Sequence, residues 1–256
     1  MIHLELVTAF IFGICIGSFL NVCIFRLPAG KSIVHPPSSC PGCGAAIKFY
    51  DNIPVLSYFI LRGRCRHCHT PIAFRYALVE LFGGLMAMCV YVKFGPGIEG
   101  IIYYGFIAAP LVVTFIDIDH RIIPDVISLP GIVLGLAASF ILPSLNWTDA
   151  LLGILVGGGS LYAVAWGYEL ITGKEGMGGG DIKLLAMIGA FIGWQGVLLT
   201  IFMGSALGTL VGMIAMLKER QNMKMRIPFG PFLALGAVIS IFFGNELILW
   251  YWNVLA

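Results

Sequence analysis

Two short stretches place carboxylates where so apolar a chain would ordinarily avoid them. In Phe115-Ile-Asp-Ile-Asp-His-Arg-Ile-Ile-Pro-Asp125, the acids Asp117, Asp119 and Asp125 sit at the end of one apolar run and the start of the next. In residues 176–184 (GMGGGDIKL), Asp181 follows the glycines Gly178, Gly179 and Gly180 and opens another apolar segment. Ionisable groups at a bilayer cost free energy, so they are rare, face protein or a wet cavity, and mark working sites. Two carboxylates sharing one proton can activate a water and protonate a departing amine, which is the chemistry of peptide hydrolysis. Asp117 and Asp181 are therefore expected to be the two halves of one site.

A second constellation is made of sulfur. Cys40-Pro-Gly-Cys43-Gly and Cys65-Arg-His-Cys68-His are two C-x-x-C pairs with 21 residues between them. Each pair puts two thiolates on one tight turn, closed with the help of Gly42 and Gly44, and Zn²⁺ can gather the two turns tetrahedrally. The competing reading is two disulfides or four metal-free thiols. A basic loop facing a reducing compartment favours zinc over disulfides. Four protein ligands leave no open coordination position, so the metal is expected to be structural.

The remaining candidates support these two. Asp119 either orients Asp117 or marks the interface. Asp125, directly after Pro124, is expected to N-cap the following helix. Lys183 is either a cation beside Asp181 or an anchor at the membrane surface. Glu80, about two turns into the second span, is expected to pair with a basic group near the interface, with gripping of substrate as the alternative. Ser18 and Asn21 should hydrogen-bond to neighbouring helices. Cys15, Cys23 and Cys89 read as small core hydrophobes, and Trp250-Tyr-Trp252 as an interfacial belt.

The elements that must position these groups follow from composition. With 59% hydrophobic and 11% charged residues and a mean hydropathy of +0.96, the chain is not a soluble globule, for which about 25% charged is usual. It is expected to be an all-α polytopic integral membrane protein of one membrane domain, 1–256. A net charge of +2 is too mild for nucleic-acid binding. Apolar runs at 2–25, 74–92, 100–116, 126–142, 150–171, 182–192, 197–217 and 229–251 suggest about eight transmembrane helices, the run 182–192 being short for a full crossing. The first run lacks a basic n-region and a small-residue cleavage site, so it reads as a retained helix.

Between the first and second spans lies a Pro-rich, basic segment, 26–73, that carries the cysteines. Putting it in the cytosol and alternating the spans leaves, of the 15 Lys and Arg residues, only Lys93 on the far side. That asymmetry obeys the positive-inside rule. It puts both chain ends outside the cytosol and Asp117 and Asp181 together on the cytosolic face.

Several stretches, in order along nearly the whole chain, resemble the bacterial type IV prepilin peptidases: residues 17–28 (GSFLNVCIFRLP), both cysteine pairs, 51–57 (DNIPVLS), 61–66 (LRGRCR), 75–80 (RYALVE), 115–125, 176–184 and 228–232 (PFGPF). Ala77 departs from the family pattern, which usually has proline after Arg-Tyr; it bears on how the second span begins and touches no proposed catalytic group. The resemblance implies a bifunctional leader peptidase and N-methyltransferase of the aspartic intramembrane class in a bacterial cytoplasmic (inner) membrane. It implies a zinc-stapled cytosolic loop, 26–73, inserted beside a peptidase core, 74–256. Prepilins and pilin-like secretion proteins (pseudopilins) are the implied partners, besides membrane lipid. Cleavage would follow the glycine that ends a basic leader, and S-adenosylmethionine would methylate the new N-terminal residue. No glycine-rich nucleotide loop is visible, so the methyl-donor site stays unassigned, as does the oligomeric state.

Two other classes fit less well. A transporter would show internal repeats and mid-membrane polar groups, and neither is found. A docking scaffold could use a zinc loop, but gives no reason for two aspartates to open adjacent helices, one behind three glycines.

Overall fold

The structure is a computed structural model and describes residues 2–174, 176–219 and 228–255. The described residues form helices α1 (Ile2–Arg26), α2 (Leu56–Ile60), α3 (Arg75–Phe94), α4 (Ile98–His120), α5 (Asp125–Ala138), α6 (Trp147–Thr172), α7 (Gly179–Glu219) and α8 (Gly230–Leu255). The only β pairings among them are two isolated bridges in the cysteine loop. Six helices, α1, α3, α4, α6, α7 and α8, are long and apolar enough to cross a membrane, as a multi-pass membrane protein requires.

The expected eight apolar runs all contain helix, but they are not eight long helices. The run 126–142 contributes α5, 14 residues long and so about 21 Å, well short of the ~30 Å hydrocarbon core. The runs 182–192 and 197–217 are two arms of α7, which bends at Gly193 (φ 70°, ψ 177°). Hydropathy registers an interruption at 193–196; only backbone geometry decides that it is a bend rather than a connecting loop. The first arm is short because it does not face lipid. Leu184, Leu185, Met187, Ile188 and Ala190 are 0–1% exposed, as a helix apolar on all sides must be when it is enclosed by others.

The chain divides into two compact units, Met1–Ala108 and Ala109–Ala256. The boundary falls inside α4, beside Pro110.

In the first unit α1 lies against α3. A Cβ placed on Gly13 would come within 2.6 Å of the Gly83 carbonyl oxygen, and one on Gly17 within 2.7 Å of the Glu80 Cα. Small residues four apart let two membrane helices approach backbone to backbone, where dispersion replaces the missing hydrophobic drive. Asn21 Nδ2 donates to the Tyr76 carbonyl at 2.9 Å, and Ser18 bonds to Glu80. Both are helix-to-helix hydrogen bonds, as expected. Of the three isolated cysteines only Cys23 is buried; Cys15 and Cys89 are exposed, because their helix faces point away from the α1–α3 seam.

In the second unit α7 packs against α5, α6 and α8. Gly153 and Gly157 of α6 meet the backbone of the first arm at Gly189 and Leu185. Gly131 of α5 meets Met187. On the second arm, Thr200 and Gly204 receive α8 at Gly236 and Phe232. Trp250, Tyr251 and Trp252, near the end of α8, are 56–64% exposed, consistent with a belt at one interface.

Candidate active site and metal centre

Asp117 lies in the last turn of α4, where only about 5% of it is exposed. The helix ends directly after it for a local reason. Arg121 takes a left-handed conformation (φ 56°) and its N–H returns to the Asp117 carbonyl at 2.9 Å, closing the helix before Pro124 forbids its continuation.

The partner of the Asp117 side chain comes from 113 residues away. The N–H of Gly230, first residue of α8, donates to Asp117 Oδ2 at 3.0 Å. The first N–H groups of a helix have no partner within it and carry the positive end of its dipole, so α8 aims a donor and a partial positive charge at the carboxylate. Space favours glycine: a Cβ at 230 would lie 2.6 Å from Asp117 Oδ2, so the carboxylate would have to shift.

Asp181 opens α7 three residues into the helix and is partly exposed. It lies within electrostatic reach of Asp117. Ile123 helps to set that proximity. A Cβ on Gly180 would be 2.9 Å from the Ile123 Cβ, and one on Gly230 would be 3.5 Å from the Ile123 Cδ1. One side chain thus seats itself against the residue before Asp181 and against the donor to Asp117.

The supporting residues fall out differently from expectation in several places. Asp119 is exposed while Asp117 is buried, because two helical residues turn a side chain through about 200° and i, i+2 positions do not face each other. Asp125 is not the N-cap of α5. Pro124 holds that position without a side-chain cap, and Asp125 is already helical, its carboxylate taken by Lys183 at 2.8 Å to both oxygens. Lys183 therefore spends its ammonium on Asp125. With side chains 39% and 54% exposed, the pair is worth about 0–1 kcal/mol and links the starts of α5 and α7. The glycine run divides by role: Gly178 and Gly179 border open space, whereas Gly180 is packed on Ile123. Glu80 has no cationic partner among the described residues; its Oε2 accepts the Val55 N–H at 2.6 Å.

The four loop cysteines converge. Their Sγ atoms all lie within 4.8 Å of one another, and Cys40 and Cys68 are 3.7 Å apart. A tetrahedral site with Zn–S of about 2.3 Å has S···S edges of about 3.8 Å, whereas a disulfide needs about 2.05 Å. The donor set fits zinc. Two like-built turns supply it. Cys40 N–H bonds to the Ala45 carbonyl and Gly44 N–H to that of Cys40; Cys65 N–H bonds to Thr70 and His69 N–H to Cys65. Bridges 39–46 and 64–71 close each turn. The matching left-handed position is Gly44 (φ 70°) in one and His69 (φ 59°) in the other. Gly42 serves differently from expectation, since a Cβ there would meet the Thr70 side chain of the second turn. A forked Arg66–Asp51 ion pair ties the same loop across 15 residues, and the guanidinium holds the Asp51 carboxyl below its usual range.

Comparison with known sequences now bears on this geometry. The sequence model of the Bacterial Peptidase A24 N-terminal domain matches residues 11–94, and that of the Type IV leader peptidase family matches residues 104–213. A Prepilin leader peptidase/N-methyltransferase from Pseudomonas putida is 38% identical, over 93% of this chain and 91% of the relative. One from Burkholderia pseudomallei (strain 1026b) is 35% identical over 96% and 88%, and one from Aeromonas hydrophila 36% over 94% and 92%. The chain belongs to the type IV leader peptidase family. No solved structure matches it.

Both cysteine turns of this leader-peptidase family member fall within the first match, and Asp117 and Asp181 within the second. Gly230 lies beyond both. Its stretch, 228–232, carries a family resemblance but no side chain with chemistry of its own. The signal was present in the prolines Pro228 and Pro231 bracketing a helix start, but nothing local says what that start points at. Replacing Gly230 by alanine is expected to push the Asp117 carboxylate off its donor and cut kcat/KM for the family reaction by about 10²-fold. Steady-state kinetics on the folded, purified variant checks this, and unchanged kcat/KM would take the Gly230 bond out of the mechanism.

Proposed function

We propose that this chain is a membrane-embedded aspartic endopeptidase that removes the basic leader from type IV prepilins and pilin-like secretion proteins, cutting after a glycine at the cytosolic membrane face, and that it N-methylates the residue so exposed. The observation that carries the reading is the convergence of Asp117 and Asp181 in a chain whose relatives are named Prepilin leader peptidase/N-methyltransferase.

Asp117 and Asp181 share one proton. The ionised carboxylate takes a proton from a water whose oxygen attacks the scissile carbonyl carbon, while the other gives its proton to the carbonyl oxygen; as the C–N bond breaks, the proton taken from water passes to the leaving amine, and a hydroxyl of the collapsing intermediate returns its proton to the other carboxylate. The Gly230 N–H fixes one oxygen of Asp117 through this exchange. The substrate backbone must be extended at the cut, since a helix hides its carbonyls in the i to i−4 ladder. The open space beside Gly178 and Gly179 is where such a strand would pass. S-adenosylmethionine, when bound, supplies an electrophilic methyl group on a sulfonium. Zinc on Cys40, Cys43, Cys65 and Cys68 would tie the loop 26–73 together and take no part in bond cleavage, which belongs to the peptidase core, 74–256.

The direct test is a purified-protein assay on a prepilin peptide carrying its leader. Cleavage after the glycine is expected, followed by methyl incorporation; a protein that transports or only binds the peptide would leave it intact.

The active face and the cysteine loop are assigned to the cytosol on the basic-residue asymmetry. Of the residues carrying it, Arg220, Lys224 and Arg226 lie outside the described residues. A single cysteine introduced near Lys48 in a cysteine-depleted background should resist an impermeant thiol reagent in intact cells and react after lysis. Labelling in intact cells would invert the topology.

A further inference from the structure

Within the first unit, α1, α3 and the cysteine loop enclose a cavity of about 520 Å³. That volume is inside the about 300–1,000 Å³ range of small-molecule sites, and like them it is mostly apolar with a few converging polar groups. Ser18, Asn21, Tyr58, Tyr76 and Glu80 are among those groups. The peptidase chemistry described above uses none of them.

Glu80 is the anomaly in this wall. It is half-buried on a membrane helix, and its partners are the Val55 N–H and Ser18. No cation among the described residues pairs with it. The other acid in the lining, Asp51, is already neutralised by Arg66. A carboxylate withdrawn from water without a counter-charge is costly, and a cationic ligand removes the cost.

The backbone beside it is held in an unfavourable conformation. Val55, whose N–H Glu80 accepts, has φ 63° and ψ −52°. A β-branched residue at positive φ is an outlier, and such strain collects where a binding site over-determines the backbone. Strain, an uncompensated carboxylate and a ligand-sized cavity meet at one place. Tyr58 and Tyr76 add flat aromatic faces of the kind on which a purine stacks.

We infer that this cavity is the methyl-donor site, binding S-adenosylmethionine with its purine among the tyrosines and its sulfonium facing Glu80. The inference rests on the methyltransferase part of the proposed function. It also orders the reaction, because the sulfonium charge that Glu80 balances is gone from the product, S-adenosylhomocysteine, and with it the attraction that held the donor.

Charge discrimination makes the test specific. Zinc-loaded, full-length protein in detergent is titrated with S-adenosylmethionine and with S-adenosylhomocysteine, for the wild type, Glu80→Gln and Ala73→Trp. The amide oxygen of the substituted glutamine can still accept the Val55 N–H. Ala73 is an exposed residue of the cavity lining, so tryptophan there fills the space without disturbing a core. Glu80→Gln is expected to weaken S-adenosylmethionine by about tenfold or more and S-adenosylhomocysteine by less than about threefold; Ala73→Trp should weaken both. Photocrosslinking with radiolabelled S-adenosylmethionine should mark peptides from residues 18–80. Equal weakening of both ligands by Glu80→Gln would overturn its sulfonium role. A wild type that binds and methylates, with both variants binding as well as it does or the label falling within 109–256, would overturn the cavity assignment while the methyltransferase reading stands. A wild type that neither binds the donor nor methylates would overturn both.

Discussion

Asp117→Asn and Asp181→Asn should each abolish prepilin cleavage, by at least about 10³–10⁴-fold, while the protein remains folded and inserted. Asparagine keeps the shape and can still accept the Gly230 N–H, so the second unit has no reason to come apart. What it removes is the exchangeable proton. With one carboxylate left, a base exists without an acid, or an acid without a base, and both are needed in one turnover. The double variant should be hardly worse than either single one, since residues that act as a unit lose nearly everything at the first deletion. Methylation of an already cleaved pilin should persist in all three, because the donor cavity lies in the first unit and contains neither aspartate. Cleavage kinetics of the purified variants decide the point. Near-normal turnover in either would remove that residue, and Asp119, exposed and on another face of α4, would be the next to test.

Replacing Cys40 or Cys65 by serine should cost the loop its fold. Structural zinc binding is worth about 10–16 kcal/mol in small domains, and in so short a segment that energy is most of the folding energy. Cys40 and Cys65 are the buried pair, at 8% and 9% exposure, so a serine at either would leave a hydroxyl inside in place of one metal bond. The loop also carries Val55, whose N–H is fixed by Glu80. Loss of the metal should therefore reach the donor cavity before it reaches Asp117 and Asp181. Zinc stoichiometry near one in the wild type and near zero in the variants, with protease cuts appearing within 26–73, is the expected result. Wild-type protein with no zinc and four freely alkylated thiols would refute the metal centre itself.

Much of this was legible in the residues. Composition alone demands a membrane protein, because a chain with 59% hydrophobic and 11% charged residues has no soluble surface to present. The C-x-x-C pairs demand a common ligand, because thiolate spacing is a local property that survives whatever the chain does elsewhere. Asp117 and Asp181 stand out because a carboxylate at an apolar boundary is expensive wherever it lies. The places where the sequence reading went astray are those governed by partners far along the chain. Lys183 sits two residues from Asp181, yet packing of α5 on α7 hands its ammonium to Asp125. Gly180 looks no different from Gly178 and Gly179 beside it, yet Ile123 packs where its side chain would be. The run 182–192 looks too short to be a span; enclosure by α5 and α6 makes its length irrelevant to lipid. Gly230 has no chemistry of its own to notice. Its importance arises because α8 begins with its unpaired N–H against a carboxylate 113 positions earlier, and the position of a helix end relative to a distant side chain is set by how the helices pack, which no local pattern encodes.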